Sequence, residues 1–149
     1  MRSLYRLIVF GIAFISSQLM AQSNEVRISG TRVIAAGETF SVSAGTTIVL
    51  ESGASLLVDG SIKLNGSSDK RIKIISADSK NPGLGISIEG VNESGKIEIE
   101  NVDFIGLVQP LRFDPFWYRK SVEISNSNFS DVNFGEPIIY VSAPLLRLS

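Results

Sequence analysis

The sequence predicts an all-β fold: a parallel β-helix, or solenoid of short strands, with about five coils and a period of about 25 residues. Three observations predict it. The segments KIEIENVDF and SVEISNSNF match position by position, with Ile97 aligned to Val122 and Phe104 to Phe129. Matching residues are 25 positions apart, and we call this spacing the repeat interval. Within each copy apolar and polar residues alternate, which is the period of a strand. Between the apolar runs lie Gly, Asn, Asp and Ser, which tolerate turn conformations.

Residues 1–21 are typical of a signal peptide. Arg2 and Arg6 are followed by the apolar run 7–15 and a polar close, and we expect cleavage after Ala21. The apolar run is shorter than the roughly 20 residues that a membrane-spanning helix needs. We therefore expect a secreted protein, extracellular or on the cell surface, with no membrane span after cleavage. An uncleaved membrane anchor is the alternative.

The mature chain divides into a short cap and a repeat domain. Residues 22–38 are expected to cover the first coil, because an open terminal coil exposes core and unpaired strand edges. Residues 39–149 are expected to form the solenoid. Its first coils contain apolar pairs separated by Gly-containing turns, namely Ile48 with Leu50, Leu56 with Val58, and Ile62 with Leu64.

The repeat interval also predicts which residues stack inside. One inward column runs through residues 72–74, 97–99 and 122–124, and a second through 86–88, 111–113 and Ile138. Equivalent strands of successive coils then pair in parallel, roughly 4.8 Å apart.

The repeated Asn and Phe have a predicted role in the coil. Asn101 and Asn126 follow the inward residues where the chain turns, and Asn tolerates the left-handed conformation. Their side chains are expected to form an amide ladder. Phe104 and Phe129 are expected to stack inside the solenoid.

The composition narrows the chemistry. The chain has 149 residues, no Cys, no His and a formal net charge of −1. Without Cys, packing and hydrogen bonds must stabilise an exported domain, because disulfides cannot form. The absence of both His and Cys disfavours zinc sites and nearly every serine- or cysteine-nucleophile arrangement. A mildly acidic chain lacks the basic surface that nucleic-acid binding needs, so no nucleic-acid partner is expected.

The first coils of the predicted solenoid resemble those of a known family. The segment GTTIVLESGASLLVDGSIKLNGSSDKRIKIISA is similar to the opening coils of secreted bacterial right-handed parallel β-helix proteins of the pectin-lyase-like type. The resemblance covers roughly residues 39–141 and implies a right-handed coil. Because enzymes and non-enzymes share this fold, it implies little about activity. The matching residues are Gly45, Ile48, Leu50, Gly53, Leu56, Val58, Gly60, Ile62, Leu64, Gly66 and Ile72.

Two columns of polar residues are candidate metal-binding or acid/base sites. The first column is expected to face outward and contains Lys73, Glu98 and Glu123. It could be a calcium site, an acid/base pair or a solvated face, and we favour the solvated face. A second column has the residues Asp78, Asp103 and Asn128. Such oxygens suit calcium, but turns are rich in Asp and Asn for backbone reasons. We therefore predict no metal site and no cofactor, with calcium as the alternative.

The stretch RFDPFWYRK, residues 112–120, is the most distinctive. Aromatic side chains beside basic ones can stack on sugar rings and hold acidic groups. The interpretation that we favour is that Phe113 continues the inward column and the other aromatics cover a corner of the solenoid, with carbohydrate binding as the alternative. The candidate carbohydrate-binding residues are Arg112, Phe116, Trp117, Tyr118 and Arg119.

No catalytic residue is predicted. As the resemblance implies, polysaccharide lyases of this fold use a Lys or Arg base with calcium. Here Arg112 is the one candidate base near the aromatic stretch, with Asp114 as its one visible carboxylate partner. We expect a secreted, non-catalytic β-helix module acting as an extracellular or cell-surface scaffold that contacts polysaccharide. The alternatives are the N-terminal fragment of a β-helix polysaccharide lyase or glycoside hydrolase, and a structural piece of a large adhesin.

The C-terminal end has no predicted cap. GEPIIYVSAPLLRLS is apolar and has no amphipathic helix. We expect a solenoid truncated at this end that continues into a downstream domain, or an edge that associates with another copy.

Overall fold

The computed structural model describes residues 24–89, 95–114, 120–132 and 137–141. These ranges contain fourteen β-strands and no helix, which confirms the predicted all-β class. The strands are β1 (Glu25–Ile28), β2 (Thr31–Ile34), β3 (Thr39–Val42), β4 (Thr47–Leu50), β5 (Ser55–Val58), β6 (Ser61–Asn65), β7 (Ile72–Ser76), β8 (Gly85–Ile88), β9 (Lys96–Glu100), β10 (Val102–Ile105), β11 (Leu111–Phe113), β12 (Ser121–Ser125), β13 (Asn128–Ser130) and β14 (Ile139–Val141).

The described strands form three parallel sheets. Sheet A has the order β1-β4-β7-β10-β13, sheet B the order β2-β5-β8-β11-β14, and sheet C the order β3-β6-β9-β12. Each turn of the chain adds one strand to every sheet, so the molecule is a parallel β-solenoid. Its described part has four complete turns and two strands of a fifth.

Alternation along each strand builds the core. In β6 the side chains of Ile62 and Leu64 are fully buried, while Lys63 between them is exposed. Burying an Ile or Leu side chain contributes about 1.5–3 kcal/mol. The inward residues of the three sheets form one continuous apolar cluster along the solenoid.

The predicted inward columns are partly correct. Val122 pairs with Ile97, and Leu111 pairs with Ile86, as the repeat interval predicts. However, Ile72 belongs to sheet A, whereas Ile97 belongs to sheet C. The true partner of Ile97 is Ile62, because the turn of chain between β6 and β9 is longer than the repeat interval.

The last predicted step is also wrong. Phe113 pairs with Val141, and Leu111 pairs with Ile139, so Ile138 lies outside the inward column. The stretch of chain from β11 to β14 is longer than the stretch from β8 to β11. One repeat interval counted from Phe113 therefore stops before its partner Val141.

The segment expected as a cap contains strands of the first turn. Within residues 22–38, β1 pairs with β4 and β2 pairs with β5. Arg32 occupies the same register position as the buried Leu56. Its guanidinium lies 4.8 Å from the centre of the Phe40 ring, so a cation–π contact covers apolar surface at this end of the core.

The Asn and Phe predictions are mostly confirmed. Asn101 and Asn126 have φ angles of 51° and 49°, in the left-handed region. The rings of Phe104 and Phe129 are stacked with centroids 4.8 Å apart. The amide ladder is wrong, because the Asn101 side-chain amide donates to the Gly66 carbonyl oxygen instead. Over the described residues, no helix is long and apolar enough to cross a membrane.

Candidate functional site

The structure describes one of the five residues predicted to bind carbohydrate. Arg112 lies in β11, whereas Phe116, Trp117, Tyr118 and Arg119 lie outside the described residues. The site is therefore built from Arg112 and from the residues on either side of the segment 115–119.

Arg112 projects from the outer face of sheet B. Its neighbours Leu111 and Phe113 are buried in the core, which confirms Phe113 as an inward residue and turns Arg112 outward. Its Nε donates a hydrogen bond to Asp114 Oδ1 at 3.0 Å. Its Cζ lies 5.9 Å from the centre of the Tyr140 ring, and half of the Arg112 side chain is exposed.

A shallow groove lies beside Arg112. Residues of β5, β8 and β11 form its floor, and Leu84, Val108 and Gln109, in the loops before β8 and β11, form its wall. The two loops are joined by a hydrogen bond of 2.9 Å from the Gln109 backbone N–H to the Leu84 carbonyl oxygen. Gly85 has a φ of +128°, and a Cβ there would overlap the Gln109 carbonyl oxygen, so only glycine fits. The lining residues of this sheet B groove are Ser55, Leu84, Gly85, Ile86, Ser87, Val108, Gln109 and Arg112.

The groove continues toward the fifth turn. Gln109 and Arg112 also line a second hollow, together with Pro137 and Tyr140. The Tyr140 side chain is 41% exposed, so its ring is accessible at this end. The groove thus has polar groups along its floor and apolar side chains at its wall and its end.

Three carboxylates stack at the corner where the strands of sheet B end. They directly follow three strands of sheet B: Asp59 follows β5, Glu89 follows β8 and Asp114 follows β11. The last residues of these three strands are in register. Backbone N–H groups continue the ladder, because Glu89 donates to Val58 and Asp114 donates to Ile88. We call Asp59, Glu89 and Asp114 the acidic column.

The middle carboxyl of the acidic column, that of Glu89, has a raised pKa. Burial raises the pKa of Glu89 above the ordinary 4.5, and so do a hydrogen bond with Asp114 and the charges of Asp114 and Asp59. The nearby Arg112 guanidinium acts in the opposite direction.

A buried lysine occupies the next corner. Three residues occupy equivalent positions directly before strands of sheet C: Gly60 before β6, Gly95 before β9 and Lys120 before β12. The Lys120 side chain runs back over the two glycines, and its Nζ donates to the carbonyl oxygens of Gly60, at 3.0 Å, and of Asp59. A Cβ on Gly95 would lie 2.9 Å from that Nζ, so the missing side chain makes room for the ammonium group.

These two corners contain the residues that flank the aromatic segment in the sequence. Asp114 directly precedes residues 115–119 and is bonded to Arg112, while Lys120 directly follows them and is 5% exposed. Sequence reasoning missed the acidic column and the buried lysine. A signal was present, since the repeat interval separates Glu89 from Asp114 and also Gly95 from Lys120.

The predicted outward Glu column lies on sheet C, without its predicted lysine. Glu98 is in register with Glu123 as expected, but their neighbour along the sheet is Lys63, whereas Lys73 belongs to sheet A. Lys96 Nζ lies 2.5 Å from Glu98 Oε1. This hydrogen bond lowers the pKa of Glu98, and the charges of Lys96 and Lys63 add to the effect. The arrangement is that of a solvated, charge-paired face.

The second polar column is also partly correct. Asp103 is in register with Asn128, but its other neighbour is Lys73. Asp78 instead accepts from the Lys80 backbone N–H and from the Asn81 side-chain amide within its own turn. Asp103 Oδ1 accepts from Arg71 Nε and from Asn128 Nδ2, each at 2.8 Å. Across the described ranges, no group of three or more His, Cys, Asp or Glu is placed to hold a metal ion.

Comparisons of the chain with protein-family models, with curated proteins and with solved structures found no match in any of the three. The parallel β-solenoid is therefore established from the strand pairing itself.

Proposed function

We propose that the chain is a secreted, non-catalytic β-helix module that acts as an extracellular or cell-surface scaffold and contacts carbohydrate. The observation that carries the proposal is the sheet B groove, which is lined by Arg112, and Arg112 shortly precedes the aromatic segment 115–119 in the sequence. Sugar-binding sites combine planar hydrogen-bonding groups with aromatic surface, and the sequence places Phe116, Trp117 and Tyr118 shortly after Asp114.

Arg112 has hydrogen-bonding capacity to offer a ligand. Its Nε is engaged by Asp114, and within the described part of the chain neither terminal nitrogen has a hydrogen-bond partner. A guanidinium presents its donors in a fixed plane. Asp114 therefore orients Arg112 while leaving its outer donors for hydroxyl or carbonyl oxygens of a ligand.

The polysaccharide-degrading alternative has less support. Glycoside hydrolases separate their two carboxyl groups by about 5 Å or more, to leave room for the sugar or for water. Glu89 and Asp114 instead follow paired residues of directly adjacent strands, and Asp114 is close enough to raise the pKa of Glu89. The pectin-lyase-like resemblance is compatible with a binding module, because enzymes and non-enzymes share that architecture.

Oligosaccharide binding measured by isothermal titration calorimetry tests the proposal. Purified protein is titrated with xylohexaose, cellohexaose and hexagalacturonate, alongside Trp117→Ala, Arg112→Ala and the control Lys63→Ala on sheet C. We expect at least one ligand to bind the wild type, Trp117→Ala to abolish binding, and Arg112→Ala to weaken it about 10-fold. Lys63→Ala is expected to bind like the wild type.

Two results would overturn the proposal. One is the absence of binding to every oligosaccharide, which would favour the adhesin alternative. The other is the appearance of unsaturated, ultraviolet-absorbing products from polygalacturonate, which would establish a lyase.

A further inference from the structure

We propose that the sheet B groove recognises a neutral glycan rather than a polyanionic, uronate-rich one. This inference rests on the proposed carbohydrate binding and names the class of ligand. It is carried by the positions of the charges around Arg112.

The positive charge of Arg112 is already compensated. Asp114 accepts its Nε–H at 3.0 Å, and the Ser87 hydroxyl donates to the other Asp114 oxygen at 3.4 Å. A ligand carboxylate approaching Arg112 would also approach Asp114. The Coulomb attraction to the guanidinium and the repulsion from the carboxylate are then similar in size.

Lys120, the next described cation after Arg112 along the chain, faces inward. Lys120 is 5% exposed, and its ammonium group donates to the carbonyl oxygens of Asp59 and Gly60. Reaching a ligand would require it to leave both acceptors without this donor, which is costly for buried polar groups. Lys120 therefore does not supply a binding charge at the surface.

The nearest carboxylate opposes an anionic ligand. Asp59 and Glu89 follow the strands beside Asp114 but do not line the groove, so Asp114 is the described carboxylate that a ligand anion on Arg112 would meet. Like charges held close together oppose binding, most strongly at low salt. The described charges thus select against uronates.

A neutral sugar matches the groups that remain. The outer nitrogens of Arg112 can donate to sugar hydroxyls, and the carboxylate of Asp114 can accept from them. The half-exposed Leu84 and the ring of Tyr140 offer apolar surface for sugar faces at the wall and the end of the groove. These contacts require no charge on the ligand.

The test compares neutral with anionic hexasaccharides on the wild-type protein. Calorimetric titrations at pH 7 use xylohexaose, cellohexaose and hexagalacturonate, at about 0.01 M and about 0.5 M salt. We expect a neutral ligand to bind at least about 10-fold tighter than hexagalacturonate at low salt, with an affinity that changes little with salt.

An isosteric variant reverses the charge argument. Asp114→Asn leaves Arg112 uncompensated, so we expect hexagalacturonate affinity to rise about 10-fold at low salt and the gain to disappear at high salt. Glu123→Gln on sheet C removes the same charge far from the groove and is the matched control. It is expected to change neither affinity.

The outcomes separate the two proposals. Tighter binding of hexagalacturonate than of both neutral ligands to the wild type, weakened by salt, would overturn this inference and leave carbohydrate binding standing. An unchanged preference in a folded Asp114→Asn would also overturn it. No binding of any hexasaccharide would overturn both.

Discussion

The outer faces of sheets B and C follow the same register but present different surfaces. On sheet C, Lys96 pairs with Glu98, and Glu98 lies beside Glu123, all on an open strand face. On sheet B, Arg112 pairs with Asp114 next to a groove walled by loops. Stacking in a solenoid therefore brings charges together automatically, but a recess requires extra residues between the strands.

The two lysines of these regions show the same difference. Lys96 is exposed and contacts a carboxylate in solvent, whereas Lys120 is buried over two glycines and bound to backbone oxygens. An exposed ion pair contributes little to stability. A buried ammonium group leaves unsatisfied acceptors behind when it is removed.

The largest expected effect tests that contrast. Lys120→Met keeps an unbranched side chain, shorter by one heavy atom, but removes the donors to the Asp59 and Gly60 carbonyl oxygens. We expect the free energy of unfolding to fall by about 2–4 kcal/mol. Lys63→Met, on the exposed face of sheet C, should change it by less than about 0.5 kcal/mol.

Urea denaturation followed by circular dichroism measures both values. Equal losses for Lys120→Met and Lys63→Met would show that the buried ammonium group does not stabilise the corner. A change in the slope of the unfolding curve for Lys120→Met would indicate that the variant alters the compactness of the native or the denatured state.

A smaller effect is expected for Glu89 and Glu98, whose contributions to stability should change with pH in opposite directions. The raised pKa of Glu89 means that the folded state binds its proton more tightly than the unfolded chain. Its stabilising contribution is therefore present below the ordinary pKa of 4.5 and is lost as pH rises through the folded pKa. Relative to wild type, Glu89→Gln should gain stability as pH rises from about 3.5 to about 7, by less than about 1 kcal/mol.

Glu98 should behave in the opposite direction. Its pKa is lowered by the hydrogen bond with Lys96, so its contribution is present above the ordinary pKa and is lost as pH falls through the folded pKa. Glu98→Gln should therefore lose stability relative to wild type as pH rises. Melting temperatures of both variants over this range give the signs, and equal signs would contradict the assigned environments.

The fold was predictable because strand alternation and turn residues are local signals. The pairing of Ile97 with Val122 and the left-handed Asn101 both follow from the repeat interval. The position of Ile72 did not, because sheets A and C have the same alternation and the turns differ in length. A fixed interval therefore identifies a solenoid but assigns strands to sheets only where the turns are equally long.

The candidate site was predictable only in part. Arg112 was identified from its aromatic neighbours, and the structure places it on an outer face. The partnership of Glu89 with Asp114 depends on which strands pair, and the burial of Lys120 depends on two glycines in preceding turns. Both are contacts between turns that no single segment of sequence reveals.

Residue-level mapping of ligand contacts tests the central claim most directly. Backbone amide chemical shifts of the wild-type protein are recorded by NMR during titration with xylohexaose or cellohexaose. We predict shifts that saturate at Ser87, Gln109 and Arg112, with none at Lys63 and Glu98 on sheet C. Shifts confined to sheet C, or none at any of these residues, would contradict the assignment of the sheet B groove as a carbohydrate-binding site.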